Sequence, residues 1–234
     1  MLPPHARGYN VAAVIPGVDT AMRNSYIAIG AHYDHVGLTG FGALDPLFAY
    51  TVHPGADDNA SGTVALLELA RRFSALPMRR PVLFVHFSGE ELGLLGSAAF
   101  VRQAPFPMDS IAAMFNFDMI GQLRDGRLDV LGIGSARDRQ RVIDSTGILT
   151  GITLRRQVAM GIAGSGSGSD HMSFGLSGVP VLHFFARLHV AYHARRDTVE
   201  RLTLAGMLSV IDVTERLIRV VGDDVATTMQ RVQR

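Results

Sequence analysis

The stretch that most restricts the fold is Pro81-Val82-Leu83-Phe84-Val85-His86-Phe87, a nearly continuous apolar run. It ends in Ser88-Gly89 and then in two adjacent carboxylates, Glu90-Glu91. A short apolar run bounded by turn residues reads as a buried strand. Two neighbouring carboxylates at the end of such a strand would repel each other, and burial would raise the cost further. A helix N-terminus accounts for an isolated acidic pair, because acids favour the positive end of the dipole. Here other polar clusters stand at the ends of other apolar runs, so a wider explanation is needed.

Those runs are residues 10–15, 25–31, 111–117, 128–133 and 180–186, and residues 153–157 read as a further short strand. Between them lie segments of helical period. Residues 61–75 carry Val64, Leu67, Leu69, Ala70 and Phe73, with Asn59 or Ser61 placed to cap them. A second helix runs from the Glu90-Glu91 site to about residue 103, and a third covers 136–149. The last starts at Asp197, where Asp197 and Glu200 have capping-box spacing, and continues to about residue 221. Strands alternating with helices predict an α/β fold, a three-layer α/β/α sandwich with a mixed, mostly parallel central sheet. Residues 1–234 read as one domain, with 1–8 a flexible extension. In such sheets, sites gather beyond the carboxyl ends of the strands, where His32, Glu90-Glu91 and Asp118 fall.

Composition narrows the chemistry. The chain has 234 residues and no cysteine, which excludes disulfides, thiolate catalysis and cysteine-bound zinc. A formal net charge of +1 gives no bulk field for nucleic acid or membrane. No apolar run approaches the roughly 20 residues needed to span a bilayer. Met1 to Arg7 lacks the apolar segment of a signal peptide, which leaves a cytosolic protein or an exported one with its signal trimmed. The Gly/Ser-rich residues 161–169 lack the Lys-Ser/Thr of a phosphate-binding loop and read as a flexible loop. Residues 38–52 show no period and read as a surface loop near the site.

The remaining polar clusters are a His-x-Asp, an Asp-Asp-Asn, the Glu-Glu, a Phe-Asp-Met and a late Tyr-His. On a cysteine-free chain they favour a metal site of histidine and carboxylate. His32-Tyr33-Asp34-His35, Gly55-Ala56-Asp57-Asp58-Asn59-Ala60-Ser61-Gly62, Ser88-Gly89-Glu90-Glu91-Leu92-Gly93, Asn116-Phe117-Asp118-Met119-Ile120-Gly121, Ser169-Asp170-His171 and Tyr192-His193 follow one another in this order. That series resembles the co-catalytic dizinc aminopeptidases of the bacterial leucyl aminopeptidase and aminopeptidase Y type, in metallopeptidase clan MH. The resemblance implies two zinc ions per chain, or other divalent metals. It implies His32 and Asp118 on one ion, Glu91 and His193 on the other, and Asp57 bridging them. Asp34 would hold the second nitrogen of His32. Glu90 would be the general base, and Tyr192 either a donor to the developing oxyanion or an aromatic packed beside the site.

The implied activity is hydrolysis of the N-terminal peptide bond of a peptide substrate. A carboxypeptidase or acylamino-acid hydrolase on the same fold would instead use Arg195 or Arg196 to grip a carboxylate, and a domain that has lost catalysis would only bind. By default the two arginines face solvent. His86 and His183, inside apolar runs, read as core residues with satisfied ring nitrogens. His35 and His53 are expected to touch ligands without ligating, His171 to wall the pocket or support a ligand, and His189 to lie on the rim.

Overall fold

The computed structural model describes residues 7–38, 42–45, 50–135, 143, 146, 151–157 and 168–223. The strands are β1 (Val11–Ile15), β2 (Tyr26–His32), β3 (Val82–Phe87), β4 (Ile111–Asp118), β5 (Arg127–Leu131), β6 (Thr153–Gln157) and β7 (Val181–Phe185). They form one sheet in the order β1-β3-β2-β4-β7-β5-β6. The pairs β3-β2, β2-β4, β4-β7 and β5-β6 are parallel, while β1-β3 and β7-β5 are antiparallel. The mixed, mostly parallel sheet is therefore the expected one. The helix expected over 136–149 and most of the loop 161–169 lie outside the described residues.

Helices cover both faces. On one face, α1 (Gly62–Ala75) turns Ala65, Leu66, Leu69 and Phe73 onto the sheet. There it meets α4 (Leu204–Asp223), which contributes Val210, Ile211, Leu217 and Ile218. The recurrence at three and four residues is what a helix lying on a sheet requires. On the other face, α2 (Leu95–Arg102) and α3 (His171–Leu176) bring Phe100 and Phe174 against Phe87. The central strands are thus buried on both sides. β1 is the exception: it is an edge strand with four of its five residues exposed.

The start of α1 is as expected, and those of α2 and α4 differ. Before α1 the cap is Asn59, whose Oδ1 accepts from Gly62 N at 3.0 Å, while Ser61 Oγ turns back to the Asp57 carbonyl. Gly62 is required there, since a Cβ would lie 2.6 Å from the Phe117 carbonyl of β4. The last helix begins at Leu204, not Asp197, after a short 3-10 turn at Val199–Arg201. Asp197 caps no helix because its carboxylate accepts the amides of Asp57 and Asp58. Likewise, residues 90–94 form turns, and α2 begins only at Leu95.

Candidate metal centre and cleft

Parallel strands β2, β3 and β4 end on the same edge of the sheet. Their ends deliver His32, the Glu90-Glu91 loop and Asp118 to one cleft of about 370 Å³. The turn Ala56–Ser61 adds Asp58, and the loop before α4 adds Tyr192 and His193.

Asp58 stands at the centre. Its Oδ1 is 3.4 Å from His32 Nε2, and its Oδ2 is 3.2 Å from His193 Nε2. His32 Nε2 is also 3.5 Å from Asp118 Oδ1. His193 Nε2 is 3.0 Å from Glu91 Oε2, and Glu91 Oε1 accepts from His35 Nδ1 at 2.9 Å. Two donor groups result, His32-Asp58-Asp118 and His35-Asp58-Glu91-His193, each with its donor atoms within 4.8 Å of one another. Asp58 belongs to both and gives one oxygen to each.

Asp57, expected as the bridge, faces away. Its Oδ1 accepts from Gly121 N at 2.6 Å and from Ser61 Oγ at 3.1 Å, and its Oδ2 is 3.0 Å from His189 Nε2. It is a buried tie between the turn and the loops after β4 and β7. His189 accordingly lies inside, with its side chain only 3% exposed, rather than on the rim. The backbone explains the choice. Asp58 and Asn59 leave helical geometry at φ −109°, ψ 90° and φ −135°, ψ 44°, which swings Asp58 into the cleft. Asp197 fixes both amides from 140 and 139 residues away.

Asp34 also acts differently from expectation. Its backbone carbonyl, not its carboxylate, takes His32 Nδ1 at 3.0 Å, and the carboxylate stays 3.9 Å off. The carboxylate instead accepts Glu90 N at 3.1 Å and Glu91 N at 3.4 Å. Asp34 thus sets the imidazole through its backbone and the acidic loop through its side chain.

These contacts test whether the cluster suits a cation. His32 and His193 each place Nδ1 on a carbonyl, of Asp34 and Gly42 respectively, so Nδ1 carries the hydrogen. Their Nε2 lone pairs then aim at carboxylate oxygens, a repulsive arrangement unless a proton or a metal ion sits between. Burial alone would depress His32, yet Asp118 and Asp58 hold it well above the ordinary range. Burial opposes His193 as well, but Asp58 and Glu91 raise it to about 10. Burial would raise Glu91, whereas His193 and His35 bring it down to about 2. The donor set matches zinc, which takes imidazole nitrogen and carboxylate oxygen. Met119 and His193, beside or within the cluster, adopt left-handed φ of 50°, strain of the kind that collects at functional sites.

Glu90 lines the cleft, and its carboxylate has no hydrogen-bond partner among the described residues. Burial pushes this carboxyl up to about 9, against the opposing charge of His32. Tyr192 lines the same cleft and stacks on His193 at 3.8 Å between ring centres. His53 holds Gly37 through Nδ1, and His171 stacks on His183. His86 is half-buried with Nδ1 unpartnered, and His183 lines the cleft, so neither is the satisfied core residue expected. Arg195 and Arg196 do not line the cleft; Arg196 donates to the Val190 carbonyl, and the Arg195 amide donates to Asp45. The role of His183 was missed because a histidine in an apolar run shows no sign of which ring nitrogen meets a cavity.

A family model described as peptidase family M28 matches residues 10–218. Aminopeptidase YwaD of Bacillus subtilis is 26% identical over 195 residues, covering 76% of this chain and 37% of that protein. Leucine aminopeptidase 1 of Metarhizium robertsii is 38% identical over 136 residues, 54% of this chain and 30% of that protein. The crystal structure of a zinc aminopeptidase from Bacillus subtilis superposes with a TM-score of 0.74 at 22% identity, over 96% of this chain and 53% of that one. The chain thus spans less than two thirds of the length of each of these proteins.

Proposed function

Because the chain belongs to peptidase family M28, we propose that it removes N-terminal residues from peptides, with two zinc ions and Glu90 as the proton carrier. The observation that carries this reading is the single carboxylate, Asp58, offering one oxygen to each of two donor groups. His32 and Asp118 would hold one ion, Glu91 and His193 the other, and Asp58 would bridge them. Bound there, the two ions would supply Lewis acidity toward a water and the scissile carbonyl.

The chain's own residues do the rest. His35 donates to Glu91 Oε1, which leaves Oε2 turned toward His193. Asp34 fixes the backbone of both glutamates, so Glu91 points at the cluster while Glu90 points into the cleft. With two cations bound beside it, Glu90 would be held in its charged form against the effect of burial. As a carboxylate, Glu90 takes a proton from the attacking water and passes it to the leaving amine. The phenol of Tyr192, kept protonated because burial raises its pKa, can donate to oxygen charge developing beside it. Cleavage at the amino end is favoured over a carboxypeptidase reading because neither Arg195 nor Arg196 lines the cleft. YwaD and leucine aminopeptidase 1 are named as aminopeptidases, which agrees.

The test couples metal analysis to substrate choice. Zinc-loaded protein is expected to hold about two ions and to release p-nitroaniline from leucine p-nitroanilide but not from its N-acetyl form. Activity confined to the blocked substrate would reject the aminopeptidase reading, and less than about one ion per chain would reject the two-metal centre. Glu90→Gln is expected to keep zinc and lose about 10²–10⁴-fold in kcat. A near wild-type rate would remove Glu90 from its role.

A further inference from the structure

Besides its carboxylates and imidazoles, the cleft is lined by the apolar Leu131, Phe185, Met172 and Leu188, with Leu131 and Phe185 packed on Met119 and Tyr192. His183 and Ser169 add polar side chains to this lining. In the β4-β7 register Asp118 is opposite Phe185, and Asn116 is opposite His183. Alternation puts Asn116 and Asp118 on one face of β4, and His183 and Phe185 on one face of β7. Two residues of strand therefore set His183 about 7 Å deeper than Asp118. That is the reach of a medium-length side chain whose Cα lies beside the metal cluster.

The state of the ring follows from its neighbours. Asn116 Nδ2 lies 3.1 Å from His183 Nδ1 and 2.9 Å from Ser169 Oγ, and Asn116 Oδ1 is buried without a partner. Turning the amide over would bury an NH₂ with both hydrogens unpaired, a costlier orphan than one carbonyl oxygen. Asn116 therefore donates, His183 Nδ1 accepts, and the hydrogen sits on Nε2. Among the described residues the hydrogen bond of the ring is the one at Nδ1, and His183 lines the cleft, so Nε2 is the nitrogen left to meet a ligand there. Burial, and then His171 stacked at 4.2 Å, hold His183 well below the ordinary histidine range, so the ring stays neutral.

We propose that His183 Nε2–H is a specificity-determining donor at the base of a side-chain pocket that is apolar apart from His183 and Ser169. It selects N-terminal residues of medium length that carry an acceptor near their end, methionine and glutamine, over hydrocarbon side chains of the same shape. It also disfavours lysine, which brings only donors. The inference rests on the aminopeptidase reading.

The experiment compares kcat/KM for methionine, norleucine, leucine and lysine p-nitroanilides in wild type, His183→Leu and His183→Gln. Wild type is expected to favour methionine over norleucine by about five-fold, since an unmatched donor is left buried under norleucine. His183→Leu is expected to bring the ratio to about one and His183→Gln, which keeps an N–H near the Nε2 position, to preserve a preference. A wild-type ratio of one with leucine still turned over overturns the role of His183 alone, and needs no variant to fold. An unchanged ratio in His183→Leu overturns it too. Turnover of none of the free-amino substrates removes the aminopeptidase reading and this inference with it.

Discussion

Asp57 and Asp58 adjoin in sequence, and both are buried, yet they do different work. Asp58 faces two imidazoles, and Asp57 ties Gly121 and Ser61. Asp58→Asn is expected to lower retained zinc and activity together, whereas Asp57→Asn should retain zinc and lose about 1–3 kcal/mol of stability, read by metal analysis and urea unfolding. The reverse pattern would return the bridge to Asp57. Strand ends pointed only to His32, Glu90-Glu91 and Asp118 as neighbours; their roles, and any role for His193, came from the resemblance, and the structure brings all five to one cleft. The choice between the two aspartates was not legible: it turns on backbone angles at Asp58 and on Asp197, and neither leaves a local pattern. The same holds for Asp34, where both carbonyl and carboxylate are within reach of the ring it was expected to hold.

The elements were easier to read than their ends. Apolar runs gave the central strands β2, β3, β4 and β7, because burial on both faces leaves little room for polar residues, whereas β1 and β6 lie at the sheet edges and are largely exposed or part-exposed. The starts of α2 and α4 were read too early, because acids near a helix start also serve turns and distant amides. α2 depends on close approach: a Cβ on Gly96 would overlap the Ser88 carbonyl and crowd Asn10, which itself accepts Ser88 N. Gly96→Ala is expected to cost about 1–3 kcal/mol and to displace the loop carrying Glu90, seen as a lower melting temperature with a lower kcat. α1 and α4 are joined by Arg72, which reaches Glu68, Asp212 and Glu215. Arg71 and Arg72 lower Glu68 to about 2 from 4.5. A depressed carboxylate gives stability that is present above its unfolded pKa and lost as pH falls through its folded one. Between about pH 4.5 and 2, wild type should therefore lose more melting temperature than Glu68→Gln. Parallel acid limbs in the two proteins would count against this.

Across the molecule, the proposed ligands come from the end of β2, the turn before α1, the loop after β3, the end of β4 and the loop before α4. An ion gripped by that many segments stabilises them jointly. At 100 times its dissociation constant it adds about 2.7 kcal/mol, or about 5–10 °C for a domain of this size. EDTA should lower the melting temperature by that amount in wild type and by much less in Asp58→Asn; equal melts with and without EDTA would sink a structural share for the metal. The hold of Asp197 on the amides of Asp57 and Asp58 sets an order of events as well. During synthesis, the central strands β2, β3 and β4 are available long before residue 193 or 197 has left the ribosome. A nascent chain can thus own most of a sheet and still lack a working edge. Under the proposed reading, peptide cleavage would be withheld until the late loop docks, so a half-made chain would not attack its own neighbours.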